Sequence, residues 1–377
     1  MTETRWRVPL SDVIVDDELV EAALETLRSG WWSMGPRVAE FEQAFAEFCG
    51  SANAVAVANG TAALHLGLLA LGCGPGDEVV LPSLNFVAAA NAIVHTGAQP
   101  VFCDIGGPDD LNLDPGDLES ALTRRTKAVL VLHYGGYPCD MQAVSGLAGR
   151  AGVAVLEDAA HAPGASLDER ACGTIGAAGC FSFFANKNLP LGEGGMIVTA
   201  DDVLAERLRL LRSHGMTSLT WDRHRGHAST YDVVLPGFNY RLDEVRAAVG
   251  LVQLRRLPDE NAARARIAAR YRDALDGEDG LTMPFEEARG VPAHHLAVVL
   301  LPEGTDRDEV RGALEERGIQ TSVHYPPIHT LSAYRDRSRR PLPRTDVVAG
   351  RILTLPLYGR MTDDQVEEVV LGVLQTL

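Results

Sequence analysis

The chain has 377 residues, of which 46% are hydrophobic and 23% charged, and a net charge of −17. This length predicts about two domains with sizeable cores, while the acidic balance excludes the basic footprint of a nucleic-acid binder and gives no attraction to anionic membranes. No apolar signal region opens the chain, no apolar run reaches spanning length, and the six cysteines form neither a CxxC pair nor a zinc spacing, so reduced thiols in the cytoplasm are expected.

Apolar spacing predicts helices over 19–27 and 38–48, separated by the loop Trp-Trp-Ser-Met-Gly-Pro. A strand over 54–58 leads through Asn59-Gly60-Thr61 into a helix over 62–71. Strands over 78–81, 100–102, 128–132 and 153–156 then alternate with helices over 85–95, 117–122 and 142–151. Short, continuously apolar strands between helices indicate a mostly parallel sheet covered on both faces, with ligands gathering at the carboxyl ends of its strands. Strands over 181–184 and 196–199 follow, then a helix over 202–212. Residues 213–240 are a long polar stretch, read as functional or interfacial. His214, His224 and His227 within it have no Cys companion and no zinc spacing, so no metal site is expected. Helices are predicted over 242–257 and 262–275, and strand–helix–strand–helix over 294–301, 308–317, 319–323 and 363–377. The expected division is a large α/β domain over 1–250 and a smaller C-terminal α+β domain over 251–377.

One stretch, Phe-Ser-Phe-Phe-Ala-Asn-Lys-Asn-Leu-Pro-Leu-Gly-Glu-Gly-Gly-Met over 181–196, organises the functional reading. Only Lys127 and Lys187 are lysines; the other 32 of the 34 basic residues are Arg. Arg supplies charge, phosphate contacts and salt bridges, but it cannot form a Schiff base. A lysine kept in a neutral stretch before a Gly-rich loop suggests an amine for covalent chemistry with a carbonyl, although it could equally be an ordinary residue. Three further features change that balance. Gly60 and Thr61 at a helix start make a phosphate cradle, Asp158 directly after a buried strand suits a cationic ring nitrogen, and Ser182 offers a hydroxyl. Each has a plain structural explanation alone, such as a helix cap. Together they match the needs of pyridoxal 5′-phosphate (PLP): an amine for its aldehyde, a carboxylate for its ring nitrogen and donors for its phosphate. Phe86 could lie on a ring face.

The phrases NGTAALHLGLLALGCGPGDEVVLPSLNFVAAANAI, GAQPVFCDI, LEDAAHAPGA, FSFFANKNLPLGEGGM, LRSHGM, GFNYRLDE and SVHYPPIH, in this order over roughly 30–330, resemble the DegT/DnrJ/EryC1/StrS sugar aminotransferases of the aspartate-aminotransferase fold type. The resemblance implies an α/β PLP-dependent transferase of fold type I. Lys187 would be the Schiff-base lysine, Asp158 the ring-nitrogen partner, His161 the support on the ring-hydroxyl side and Phe86 the stacking aromatic. Thr61, Ala62 and Ser182 would contact the phosphate, with Asn239 lent by a neighbouring subunit of a homodimer. Arg241, His324, Tyr325 and the 216–231 loop are the expected substrate contacts. The implied reaction is ping-pong transfer of an amino group from an amino acid, L-glutamate above all, to a keto nucleotide sugar. The Gly-Glu-Gly-Gly-Met loop resembles members acting on 4-keto sugars, which points to dTDP-4-keto-6-deoxyglucose and amino-sugar or antibiotic biosynthesis. A 3-keto nucleotide sugar, a keto-cyclitol or a non-catalytic PLP-binding regulator are the alternatives. A PLP-dependent sugar dehydratase is disfavoured because that branch carries His in place of the lysine. A nicotinamide-dependent oxidoreductase is disfavoured because Asp77 stands where the third Gly of G-x-G-x-x-G would be.

Overall fold

The computed structural model describes residues 6–218, 230–337 and 340–377. In chain order the strands are β1 (Asn53–Val57), β2 (Glu78–Pro82), β3 (Gln99–Cys103), β4 (Thr126–Leu132), β5 (Ala154–Asp158), β6 (Ser166–Leu167), β7 (Arg170–Ala171), β8 (Ala178–Ser182), β9 (Gly195–Thr199), β10 (Ala297–Leu300) and β11 (Ile352–Leu355). Seven of them form the central sheet in the order β1-β9-β8-β5-β4-β2-β3. β9 pairs antiparallel with both of its neighbours, and the other pairings are parallel. Six strands therefore point the same way and β9 alone is reversed. This brings the segment after β1, the end of β5 and the end of β8 to one edge of the sheet. β6 and β7 form a small hairpin.

Apolar strands fix the sheet because both of its faces are covered. The helix Gly60–Ala70 buries Leu64, Leu66 and Leu68 against Val55, Leu130, Leu156 and Ile197. On another face the helix Pro36–Cys49 buries Val38, Phe41, Phe45 and Cys49, residues at helical spacing, against Phe181, Phe183 and Met196. Each fully buried Phe contributes about 2–3 kcal/mol of transfer free energy. The first turn of that helix is held from a distance: the buried Glu244 carboxylate accepts hydrogen bonds from the amides of Gly35, Arg37 and Val38, each at 2.9 Å.

The C-terminal unit differs in detail from the expectation. Helices 242–257 and 262–275 are one continuous helix, Glu244–Leu275, with Pro258 inside it. Proline normally ends a helix, because it removes one backbone bond and crowds the preceding turn. Here packing on both sides outweighs that cost. Leu254 and Leu257 lie in the core beside the sheet, while Ile267, Tyr271 and Leu275 lie in the core of the C-terminal unit. The expected boundary at 250/251 falls within this helix. Residues 319–323 do not form a strand, and only isolated bridges tie Ile319 to Val8 and Ser322 to Thr354. The partner of β10 is β11, which pairs with it antiparallel. The strand expected over 181–184 is β8, which ends at Ser182 so that Phe183 and Phe184 can turn into the loop carrying Lys187. Part of the polar stretch, including His224 and His227, lies outside the described residues. Among the described residues no helix is long and apolar enough to cross a membrane.

Glu157 fixes the strand end on which the site is built. It is fully buried, and its carboxylate accepts from the amides of Gly173, Ile175 and Gly176. His133 Nδ1 accepts from the Cys139 amide, so Nε2 carries the proton that it donates to Glu157 at 2.9 Å. All four groups facing the carboxylate are donors. Glu157→Gln turns an amide NH2 toward them and should lower stability by about 3 kcal/mol, read as a reduced urea midpoint with unchanged slope.

Candidate active site

A cavity of about 400 Å³ opens where the strand ends converge. Gly60, Thr61, Phe86, Asp158, His161, Ser182, Lys187, His324 and Tyr325 all line it. The structure thus brings together most of the residues expected from the sequence, and it adds Asn59, Asn85, Phe184, Asn186 and Glu193.

The anion-ready end is the start of the helix Gly60–Ala70. Asn59 caps it, with its side chain accepting from the Ala62 amide at 2.8 Å. That contact engages the amide of Ala62, which the resemblance assigns to the phosphate. Its N–H is already satisfied, its side chain is buried in the core, and it does not line the cavity. The amides of Gly60 and Thr61 are in the first turn, where the helix dipole favours negative charge. A Cβ on Gly60 would stand 2.7 Å from Ser182 Cβ, so only glycine lets this helix start approach the Ser182 hydroxyl.

The opposite end is cationic in its demands. Asp158 ends β5, and its Oδ1 accepts from the Ala160 amide at 3.2 Å. Burial pushes its carboxyl up to about 6, against that amide bond and the nearby Lys187. A buried carboxylate of this kind gains from a cationic partner. Lys187 projects from the β8–β9 loop, which is pinned by the buried side chains of Leu189 and Phe183 and by a bond from the Leu191 amide to the Phe183 carbonyl. Burial lowers its ammonium to about 8, with Asp158 opposing the shift. The amine therefore has an unprotonated fraction of about a tenth at pH 7, far above that of an ordinary lysine.

His161 receives the Gly135 amide on Nδ1 at 3.2 Å, so the neutral ring carries its proton on Nε2 and donates it to the Tyr325 hydroxyl at 2.8 Å. Burial, then Lys187 and His324, hold the His161 pKa well below the ordinary value. The Tyr325 hydroxyl is thereby left with its own proton to donate. Phe86, half exposed at the mouth, has its ring centroid 5.7 Å from that of Tyr325.

Asn239 and Arg241 do not line this cavity. Asn239 is exposed and bridges by its backbone to Ser213. Arg241 is half-buried, with Nη1 enclosed and without a hydrogen-bond partner. Of the 216–231 loop, residues 219–229 lie outside the described residues. Among the described residues no group of three or more His, Cys, Asp or Glu could hold a metal.

The residues fit PLP. Asn85 Nδ2 and Asn186 Oδ1 are buried polar atoms without protein partners in the cavity wall. The Gly60 gap has room for an anion, Asp158 would hold a cationic ring nitrogen, and Lys187 presents its amine to the same cavity. A helix-terminus anion site, a buried carboxylate and a depressed lysine around one cavity, on a sheet with a single reversed strand, define a PLP-dependent aminotransferase.

The comparisons agree. Residues 13–374 match the DegT/DnrJ/EryC1/StrS aminotransferase family, to which the chain belongs. It is 44% identical over 374 residues to the spore coat polysaccharide biosynthesis protein SpsC of Bacillus subtilis, covering 97% of this chain and 96% of that one. The aminotransferase TlmJ of Streptoalloteichus hindustanus shares its fold with a TM-score of 0.91 at 40% identity over 98% of both chains. DesV of S. venezuelae, solved with a ketimine intermediate, gives 0.87 at 38% identity over 95% of this chain and 94% of that one.

The raised Asp158 carboxyl has a measurable consequence in the cofactor-free protein. Between 3.8 and about 6 the folded chain keeps a proton that the unfolded chain has released. Stability therefore falls as pH rises through that window, by about 3 kcal/mol. Asp158→Asn should flatten the fall in urea titrations at pH 4–6.5, and PLP should reduce it in the native sequence.

Proposed function

We propose that this enzyme transfers an amino group from an amino acid, L-glutamate above all, to a keto nucleotide sugar in the cytoplasm. The acceptor most consistent with the Gly-Glu-Gly-Gly-Met loop over 192–196 is dTDP-4-keto-6-deoxyglucose, giving a 4-amino-4,6-dideoxy sugar. The observation that carries the reading is the Lys187 amine, depressed by burial and facing the same cavity as Asp158. The name of SpsC, a polysaccharide biosynthesis protein, supports a sugar as the acceptor.

Bound PLP supplies a reactive carbonyl and an electron sink. Asp158 keeps positive charge on the ring nitrogen by offering a buried carboxylate. Gly60, Thr61 and Ser182 hold the phosphate. Lys187, once its amine is free, takes the proton from the donor carbon and returns one to the acceptor carbon, a role contributing about 10²–10⁴-fold. Phe86 and Tyr325 cover the cavity and limit water. The domains act as a large cofactor-binding unit and a smaller C-terminal one that supplies His324 and Tyr325.

Lys187→Arg keeps the charge and should abolish turnover. The reading is tested by the visible spectrum of the PLP-loaded protein. Glutamate should bleach the band, and the correct keto sugar alone should restore it; retention of normal turnover by Lys187→Arg would refute the reading.

Arg241 and Asn239 stand outside the cavity of their own chain, which is consistent with their serving the site of a second copy in a homodimer. Mixing inactive Lys187→Ala and Arg241→Ala subunits should then recover roughly a quarter of native activity by random pairing. No recovery would assign Arg241 to its own chain.

A further inference from the structure

His295, which precedes β10, is the buried titratable group nearest the lysine amine that the proposed chemistry leaves unused. Its Nε2 lies 3.4 Å from Lys187 Nζ. The direction of every hydrogen bond around it can be fixed from backbone carbonyls, which only accept. Asn261 Nδ2 donates to the Pro163 carbonyl at 2.9 Å, leaving Asn261 Oδ1 as an acceptor. Asn188 Nδ2 donates to that Oδ1 and to the Ala293 carbonyl, both at 2.8 Å. Asn188 Oδ1 therefore accepts, and its partner is His295 Nδ1 at 3.0 Å. Nδ1 must carry the imidazole proton, and Nε2 presents a lone pair to the lysine.

The backbone holds this ring firmly. The His295 amide donates to the Gly135 carbonyl and the Ala293 amide to the Gly136 carbonyl, at 2.8 and 2.9 Å. Between them His294 is kept at φ +47°, a left-handed conformation that a side chain adopts only when its surroundings impose it. His295 and Asn188 are both buried. Burial first, then the neighbouring Lys187, His161, His324 and Arg264, hold His295 well below the ordinary imidazole pKa, so it stays neutral and remains an acceptor. Asp158 is the competing partner of the amine from the β5 side.

We infer that His295 is a positioning residue for Lys187: its locked Nε2 accepts one N–H of the free amine and thereby aims the nitrogen's lone pair into the cavity. The inference rests on Lys187 being the reacting amine. A lysine tether has four rotatable carbons, and an amine with no partner on this side would turn to Asp158. A directional chain from Pro163 through Asn261, Asn188 and His295 removes that freedom, and misplacement of about 1 Å in such a group costs up to about 100-fold in rate.

The two-lysine composition makes the test direct. In the cofactor-free full chain, competitive acetylation with acetic anhydride across pH, read by peptide mass spectrometry, reports Lys187 against the exposed Lys127. His295→Leu removes the acceptor and should lower the apparent Lys187 pKa by about one unit. His295→Gln, whose carboxamide can donate to Asn188 and accept from Lys187, should keep it near the native value. In the PLP-loaded enzyme His295→Leu should slow the glutamate half-reaction about 10- to 100-fold at saturating donor. An unchanged or raised Lys187 pKa in His295→Leu, or an equal shift in both variants, would overturn the inference. If PLP gives no visible band in the native protein and does not protect Lys187 from acetylation, it is the PLP–Lys187 reading that fails. Should His295→Leu not fold, the Gln variant still decides: a Lys187 pKa displaced by a full unit there refutes the role.

Discussion

Taking an amine and a carboxylate out of water at one sheet edge is the constraint around which this molecule is built. Unpaired, each is pushed toward its neutral form, and a flexible scaffold would relax and let water back in. The scaffold here is not flexible at that point. Glu157, one residue before Asp158, gathers three amides and an imidazole N–H, and the Lys187 loop is anchored through Phe183 and Leu189 in the core. The cost of desolvation is held in place, and a ligand with a cationic nitrogen and a carbonyl would relieve it. Binding and activation thus draw on the same stored electrostatic disadvantage.

The single reversed strand has a related role. β9 carries the chain back after the Lys187 loop, so that β1 and β8 run the same way on either side of it. This places the anion end of the cavity, from the β1–helix junction, beside Ser182. With β9 inserted parallel, the 183–194 connection would have to cross over to the opposite end of the sheet, and the lysine would no longer sit between two adjacent strand ends.

Much of this was legible in the sequence because the chemistry coincides with strand ends. Asp158 follows an apolar run, Gly60 opens a helix, and Lys187 is conspicuous in a chain with two lysines. A short motif does not say which amide the Asn59 cap will use, and the structure gives it that of Ala62. His295 carries no local signal: it sits in Ala-His-His-Leu ahead of an ordinary apolar strand, and its significance comes from Asn188, Asn261 and Pro163, far away in the chain. Pro258 read as a helix end because local propensity disfavours it, whereas burial on both flanks decided the outcome. β11 was missed because four residues after a short helix give too little alternation to register.

That uninterrupted helix, Glu244–Leu275, bears on how the protein comes apart. Its first half is part of the core beside the sheet, its second half part of the C-terminal core, and its Glu244 carboxylate also holds the Pro36–Cys49 helix. Chains of this length often divide into units that melt separately. Here melting either unit strips the buried face from half of a helix whose other half is still packed, and a bare helix of that length is marginal in water. The two units therefore share one cooperative fate, and the walls of the cavity between strand ends and C-terminal loop are lost together rather than one after the other.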